Sequence, residues 1–455
     1  MSETEIRAVR PRTGDELELT IDRLAHGGAG VARLDGYVVF VRGAVPGDRV
    51  RARVTKSKRS FAEADSVELL EPSPDRVEPV APHPGAPWQV LPYERQLAEK
   101  EDQVRDALTR IGRFEAPPVE PIVPAIETLR YRNKLEYSFG EDDKGEVVLG
   151  FHHPGRFDLI DDVSIDILAS ERVDALRETV KDWCRAEGLS AWDRRSQQGL
   201  LRNLVVREGR RTGQLQARLV TSPAAQFRVE ELAAATPADS FLWTRAGGVA
   251  ETTREGETQV IRGSAYLEEE LAGLRLRISP DAFFQTNTEM AERLYGAAAE
   301  LAGLTGRERV LDLFCGIGTI ALVLALDAGE VWGIEIVEEA VADAIENARL
   351  NGVDNTKFFA GDVRLAMRPL LEQSGKPDVV VVDPPRAGLS QKVVRRVLEA
   401  QAKRIVYVSC NPTTLAPNAR QMADAGYELK TVRPVDMFPQ TPHIECVALL
   451  ERAEP

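Results

Sequence analysis

The 455-residue sequence predicts an α/β protein in which a doubly wound α/β domain follows two β-rich modules. In the last third, apolar runs alternate with stretches of helical periodicity, and three runs end abruptly in polar, Gly, Pro or Cys residues. Near the start, short β-branched runs alternate with Gly and Pro turns, as in a small antiparallel barrel. The predicted boundaries are 14–72 for the barrel, 73–270 for a β-rich central domain and 271–455 for the α/β domain.

Composition narrows the class of protein. The chain is longer than one hydrophobic core usually serves, and its net charge of −14 argues against a surface that binds nucleic acid everywhere. The charged N-terminus and the absence of a membrane-length apolar run predict a cytoplasmic protein with no membrane partner. The four cysteines are far apart and lack CxxC spacing, so neither disulfides nor a metal site is expected.

The predicted barrel carries the strongest local basic charge. Between Arg42 and Arg59 there are seven basic residues and one acidic residue. A charge run of this kind is often only solvated surface, but on a small barrel it also fits contacts to nucleic-acid phosphates. The predicted nucleic-acid contacts in this run are Arg51, Arg53, Lys56 and Lys58.

The middle of the chain divides into a linker, a helix and a second β-rich region. Seven prolines between 72 and 92 exclude a regular element there, and residues 93–114 have helical spacing. This helix is expected to pack on the α/β domain. Strand-like runs such as LRNLVVREG and QLQARLV then indicate the central domain, where Arg132 and Lys134 are further candidate RNA contacts.

The α/β domain places its motifs at strand ends. The loop GIGTIA (316–321) follows the first strand, where glycines let the backbone approach a ligand, and Glu335 ends the second strand. These two features fit a nicotinamide dinucleotide as well as S-adenosylmethionine. Asp383 in DPPR and Cys410 in SCNP end later strands, and a dehydrogenase has no use for them.

With these motifs, the chain resembles the class I S-adenosylmethionine-dependent RNA 5-methyluridine methyltransferases. HGGAGVAR and VFVRGAVPGDRV resemble a TRAM domain, an OB-type barrel, while FFQTN, DLFCGIGT, DPPRAGL, SCNPTTL and HIEC resemble the catalytic domain. The resemblance covers nearly the whole chain. It implies a Rossmann-like methyltransferase domain and an RNA substrate, 23S ribosomal RNA first and transfer RNA second. It implies no DNA partner, and a monomer is expected.

The resemblance also implies residue roles. Cys410 would be the nucleophile that adds to carbon 6 of uracil, and Glu445 the base that removes the proton from carbon 5. A strand end that lowers the thiol pKa would help this chemistry. His443 either orients the base or caps the strand, and Thr319 often stands as Asn in relatives. The implied S-adenosylmethionine contacts are Gln285, Phe314, Gly316, Gly318, Thr319, Glu335, Asp362 and Asp383.

One departure from the family bears on cofactors. Many relatives hold an iron-sulfur cluster on four cysteines, but here His83, Ala86 and Asp166 stand in the corresponding stretches. No iron-sulfur cluster and no metal are therefore expected. Two other classes stay open at this point. A nicotinamide oxidoreductase leaves DPPR, FFQTN and SCNP unexplained, and a non-catalytic RNA-binding protein does not require Cys410 and Glu445.

Overall fold

The computed structural model describes most of the chain. Residues 1–9, from which the absence of a signal peptide is predicted, lie outside the described residues, as do short stretches of the predicted central domain and the last two residues of the α/β domain. Among the described helices, none has the length and apolar character needed to cross a bilayer. The described residues are 10–223, 227–248, 253 and 256–453.

The N-terminal sheet is built from short strands whose alternate residues face its core. Its strands are β1 (Glu16–Thr20), β2 (Arg23–Leu24), β3 (Gly30–Leu34), β4 (Tyr37–Arg42), β5 (Arg49–Ser57) and β6 (Phe61–Glu71). Their order is β1-β5-β6-β4-β3-β2. The prediction of a wholly antiparallel barrel is wrong, because β4 and β6 pair in parallel. The hairpin of β5 and β6 reverses the chain, so β6 returns beside β4 in the same direction.

A linker and the first helix follow the N-terminal sheet, and this helix packs on the C-terminal sheet. Residues 72–92, all of them described, form no helix or strand. Helix α1 (Tyr93–Arg110) stops before the predicted end at 114, where Gly112 and the left-handed Arg113 (φ 56°) follow. Val104, Ala107 and Leu108 of α1 are buried in the core of the C-terminal sheet.

The central sheet has the order β13-β12-β11-β10-β7-β8-β9. Its strands are β7 (Lys134–Glu141), β8 (Val147–His153), β9 (Arg156–Asp161), β10 (Leu201–Glu208), β11 (Leu215–Thr221), β12 (Ser240–Arg245) and β13 (Glu257–Arg262). Helices α2 (Glu171–Ala186) and α3 (Val229–Ala235) contribute apolar residues to its core. Sequence periodicity did not predict α2, which begins where the Ser170 hydroxyl accepts a hydrogen bond from the Val173 amide at 3.3 Å.

The C-terminal region opens with a hairpin and continues as the predicted doubly wound domain. Its strands are β14 (Leu267–Leu271), β15 (Leu274–Ile278), β16 (Arg309–Leu313), β17 (Glu330–Glu335), β18 (Thr356–Ala360), β19 (Val379–Val382), β20 (Arg404–Ser409), β21 (Tyr427–Val435) and β22 (Glu445–Arg452). Its helices are α4 (Thr288–Ala302), α5 (Thr319–Ala325), α6 (Glu338–Leu350), α7 (Val363–Ser374), α8 (Gln391–Ala400) and α9 (Pro412–Asp424).

Its main sheet has the order β18-β17-β16-β19-β20-β22-β21. Strands β16 to β20 are parallel, and β22 is antiparallel to β20. Helices α4 to α6 pack on one face, and α1 joins α7 to α9 on the other. The carboxyl ends of the parallel strands therefore meet at one edge, where this class of sheet binds its ligands.

Candidate active site

The glycine loop combines a left-handed backbone with close packing against its neighbours. Phe314, directly after β16, has a left-handed φ of 67°, and Gly318 has a φ of 83°. A Cβ on Gly318 would lie 3.0 Å from the Cβ of Ala344 and 3.1 Å from the Phe358 ring. The loop therefore packs closely against α6 and β18, and α5 starts at the next residue, the buried Thr319.

Glu335 is fixed beside this loop. One carboxylate oxygen accepts the Gly316 amide at 3.2 Å, and the other accepts the amides of Ile336 at 2.7 Å and Val337 at 2.9 Å. A carboxylate has about four acceptor positions, so capacity for a ribose hydroxyl remains. The backbone groups thus orient an acceptor toward the space above the glycine loop.

The other predicted cofactor contacts lie in different settings. Asp362 caps α7 by accepting the Arg364 amide at 2.8 Å, and its carboxylate also pairs with the Arg364 guanidinium. Gln285 is buried, and its backbone carbonyl accepts a hydrogen bond from the side-chain amide of Asn133 at 2.9 Å. Asn133 therefore connects the start of the central sheet to the FFQTN segment.

The FFQTN and SCNP motifs are both helix starts. Asn287 caps α4 by accepting the Met290 amide at 3.2 Å, and Asn411 caps α9 by accepting the Thr413 amide at 3.0 Å. Pro412 occupies the first position of α9, where a missing N–H costs nothing. Cys410 therefore lies between the end of a strand and a helix cap, in a sharply defined turn.

Cys410 and Glu445 lie close together at the ends of two adjacent strands, where the charge of Glu445 acts on the Cys410 thiol. In the antiparallel pair of β20 and β22, Ser409 lies opposite Cys446. Cys410 comes directly after the end of β20, and Glu445 is the first residue of β22, so both lie next to this last pair of the two strands. Cys410 is half-buried, whereas Glu445 is only 3% exposed.

Both residues lie in a site that disfavours negative charge. Burial, Glu445 and Asp383 raise the pKa of the Cys410 thiol to about 11. Burial and Asp383 also hold the pKa of Glu445 well above its usual range, while burial raises that of Asp383 to about 7. The strand end therefore does not supply the lowered thiol pKa that would help the reaction, because burial and two nearby carboxyl groups disfavour the thiolate.

Sequence analysis did not assign Arg386 a role, although DPPR contains it. The positive charge of its exposed side chain partly offsets the upward shift of the pKa of both Cys410 and Glu445. Its carbonyl accepts the Asn411 side-chain amide at 3.2 Å, which ties the DPPR turn to the SCNP turn. Tyr295 was also missed, and no sequence motif marks it. It is buried where the charges of Asp383 and Glu445 raise its pKa.

The segment 436–443, which leads into Glu445, is anchored from several directions. The Lys100 ammonium group pairs with Asp436 at 2.5 Å, and both side chains are fully buried. Gln96 accepts the Gln440 amide at 2.9 Å. The Tyr131 hydroxyl donates to the Pro439 carbonyl at 3.0 Å. Helix α1 and the central region thus fix the approach to the predicted base.

The basic run of the barrel is paired with acidic residues of neighbouring strands. These pairs join Arg49 to Glu71, Arg51 to Glu68, Arg53 to Glu16 and Lys56 to Glu63, at 2.5 to 3.0 Å. Lys58 is exposed beyond them. The acidic partners lie on β1 and β6, so the local charge excess in the sequence does not persist as an equal excess on the folded surface.

The remaining predicted RNA contacts lie near the central sheet. Lys134 pairs with Glu136 at 2.5 Å, and burial lowers its pKa. Arg132 is close enough to His443 for its charge to lower the pKa of that imidazole. Arg132 therefore belongs to the surroundings of the active site.

The positions that lack the family's cysteines form a hydrogen-bonded cluster. The His83 Nε2 lies 3.0 Å from one Asp166 oxygen, and the Tyr137 hydroxyl donates to the other at 2.8 Å. Ala86 is fully buried nearby. Within the described ranges, no group of three or more His, Cys, Asp or Glu side chains could hold a metal ion.

The doubly wound sheet, its glycine loop and the acidic end of β17 fit the fold of a class I methyltransferase. The family model for tRNA (uracil-5-)-methyltransferases matches residues 245–453, and the model for TRAM domains matches residues 10–67. An RNA methyltransferase of Chlorobaculum tepidum is 41% identical, with 99% of each chain covered. Another, from Halalkalibacterium halodurans, is 40% identical over 96% of this chain and 97% of its own.

A solved structure agrees over the whole fold. The tRNA (uracil-54, C5)-methyltransferase of Pyrococcus abyssi, in complex with S-adenosyl-L-homocysteine, matches with a TM-score of 0.78 and 29% identity. The match covers 95% of this chain and 100% of that one. The chain belongs to the RNA (uracil-5-)-methyltransferase family with a TRAM domain. It is an S-adenosylmethionine-dependent enzyme. It is therefore neither a nicotinamide oxidoreductase nor a non-catalytic RNA-binding protein.

Proposed function

We propose that this enzyme forms 5-methyluridine in structured RNA, with Cys410 as the nucleophile and Glu445 as the general base. The observation that supports the proposal is the proximity of these groups: Cys410 directly follows β20, Glu445 begins the adjacent β22, and the charges of Glu445 and Asp383 act on the Cys410 thiol. A thiol and a buried carboxylate close to each other suit addition at one end of a carbon–carbon double bond and proton removal at the other, here carbons 6 and 5 of uracil.

The first step is addition. Carbon 5 of uracil is a poor nucleophile, so the Cys410 sulfur bonds to carbon 6 while the electron pair of the double bond moves toward the carbon 4 carbonyl, forming an enolate. The half-buried Cys410 thiol must first give its proton to solvent. With a pKa of about 11, roughly one thiol in ten thousand is ionised near neutral pH. Arg386 favours this ionisation through its positive charge.

Methyl transfer and elimination follow. S-adenosylmethionine, when bound, supplies an electrophilic methyl group, which the enolate takes at carbon 5. Glu445 in its ionised form then removes the proton from carbon 5, and the returning electron pair reforms the double bond and expels the Cys410 thiolate. Because burial raises the pKa of Glu445, its carboxylate is a stronger base than an exposed glutamate.

We propose that the cofactor lies over the glycine loop. Glu335, with acceptor capacity left, suits the ribose hydroxyls, and Asp383 suits the end of the cofactor nearest the base. Asp362 would have to share its carboxylate with Arg364. The set of proposed contacts is Gln285, Phe314, Gly316, Gly318, Thr319, Glu335, Asp362 and Asp383.

The RNA must present a uridine that can leave its stack, which favours a loop. We propose 23S ribosomal RNA first, on the family resemblance of the TRAM region. Transfer RNA is the second candidate and is favoured by the solved relative, which acts on tRNA. The barrel (14–72) and central domain (73–270) would hold flanking nucleotides, and the methyltransferase domain (271–455) would carry the reaction in the cytoplasm. We expect a monomer.

Two variants test the mechanism. Cys410→Ala should abolish methylation while S-adenosylmethionine still binds by calorimetry, whereas Cys184→Ala, buried in the central core, should keep activity. Glu445→Gln should accumulate a covalent methylated RNA adduct that survives a denaturing gel. Turnover by Cys410→Ala would remove the nucleophile assignment, and a missing adduct would count against Glu445. Mapping methylated uridines in a deletion strain identifies the RNA.

A further inference from the structure

A turn of the N-terminal barrel lies against the active-site segment. The turn between β2 and β3 is closed by the Ala25 amide, which donates to the Ala29 carbonyl at 2.8 Å. Gly28 in this turn has a φ of 90°, and a Cβ placed on it would lie 2.9 Å from the Cβ and Cγ of Pro442. Pro442 stands three residues before Glu445. The barrel therefore touches the segment that carries the proposed base.

His26 occupies this turn with part of its ring unsatisfied. The residue is half-buried, and its Nδ1 is buried without a hydrogen-bond partner within the described part of the chain. Leaving a buried polar atom unpaired costs about 1–3 kcal/mol, so such an atom in a native site calls for an explanation. A ligand that enters beside the turn would supply the missing partner.

The surroundings of His26 are positively charged. Burial and then Arg386 lower the pKa of His26, so its ring is neutral at physiological pH. Burial lowers the pKa of His443 to about 4, with Arg386, Arg132, Lys100 and His26 as further causes. Charges act on one another in this way only at short range. These groups therefore lie close to one another, and Arg386 among them also acts on the Cys410 thiol and the Glu445 carboxyl group.

We propose that His26 and Arg386 form a subsite for the ribose-phosphate of the target uridine, so that the TRAM barrel contributes directly to the catalytic pocket. The proposal rests on the proposed function, in which the uracil ring lies between Cys410 and Glu445. The sugar and phosphate are the next groups outward from that ring. A guanidinium binds phosphate oxygens, and a neutral imidazole can exchange hydrogen bonds with a ribose hydroxyl or a phosphate.

The charge distribution of the barrel favours this turn over strand β5. The basic side chains of β5 already pair with carboxylates of β1 and β6, and an RNA phosphate would have to compete with them. The turn instead offers an unpaired ring nitrogen beside an exposed guanidinium. The part of the barrel that meets the reacting nucleotide is therefore the HGG turn.

The first test separates RNA binding from stability. His26→Ala should raise KM for RNA about tenfold, the loss of one good hydrogen bond, with a smaller change in kcat. Its S-adenosylmethionine affinity and melting temperature should stay at the wild-type values. His26→Asn should recover most of the loss, because its amide places a polar atom near the position of Nδ1. His153→Ala, at an exposed histidine of the central sheet, is the control.

The second test displaces the whole turn. Gly28→Ala and Gly36→Ala both force alanine into a left-handed backbone, at φ values of 90° and 84°, but only the first meets Pro442, whereas Gly36 has open space. Gly28→Ala should reproduce the RNA defect, and Gly36→Ala should not. Wild-type KM in both His26→Ala and Gly28→Ala would overturn the subsite while leaving the methyltransferase proposal intact. Failure of the wild-type enzyme to methylate any RNA would instead remove that proposal itself.

Discussion

Lys100 and Asp436 provide a sharp test of how the active-site segment is held. Their side chains are fully buried, and the Lys100 ammonium also donates to the Phe438 carbonyl at 3.0 Å. Asp436 accepts a further hydrogen bond from the Tyr93 hydroxyl at 2.8 Å. Burial lowers the pKa of Lys100, and Asp436 partly offsets that effect. Neither partner can be removed without leaving the other as a buried charge.

Lys100→Met should cost about 3–5 kcal/mol, the usual cost of breaking one side of a buried pair. Methionine fills most of the space of the lysine stem, so the cavity contribution is small. Lys100→Met/Asp436→Asn should recover part of the loss, since asparagine still accepts from Tyr93 but carries no charge. Because Asp436 begins the segment that leads to Glu445, kcat should also fall more than cofactor affinity.

Urea unfolding of the single and double variants measures these free energies, and single-turnover methylation measures the catalytic effect. Lys430→Met is the control, because Lys430 pairs with Glu428 on the surface at 2.6 Å and its loss should change little. The reasoning is refuted if Lys100→Met unfolds at the wild-type urea concentration. It is also refuted if the double variant is less stable than Lys100→Met alone.

Further predictions concern the thiol, the barrel and the missing cluster. The rate of Cys410 alkylation by iodoacetamide should rise with pH, with a midpoint near 11. Arg386→Met should move this midpoint to higher pH, because it removes a positive charge that stabilises the thiolate. A wild-type midpoint below about 8.5 would contradict the prediction. The slope of log RNA affinity against log salt concentration counts the phosphate contacts. Arg51→Ala should lower this slope by well under one contact, because Arg51 already pairs with Glu68, whereas Lys58→Ala should lower it by about one contact. Purified protein should contain no iron and show no band near roughly 400 nm, which a brown iron-containing preparation would disprove.

Local patterns predicted the α/β domain well. The predicted alternation of strands with helical stretches is confirmed by β16 to β20 and α5 to α9, because caps and turn residues act over a few positions. The shorter α1 and the unpredicted α2 mark the limit of periodicity, since Gly112 ends one helix and the Ser170 cap starts the other. The order of the motifs, through the family resemblance, also predicted Cys410 and Glu445 as catalytic residues.

The sequence by itself determined the strand ends and the residue types found there, since both follow from contacts between near neighbours in the chain. Only the tertiary structure decided the pairing of the β5 cations, the raised pKa of Cys410 and the place of His26 beside Arg386. Those properties depend on desolvation and on Coulomb interactions across space. Such interactions join residues on different strands and turns, and His26 and Arg386 come from opposite ends of the chain, so no local pattern records them.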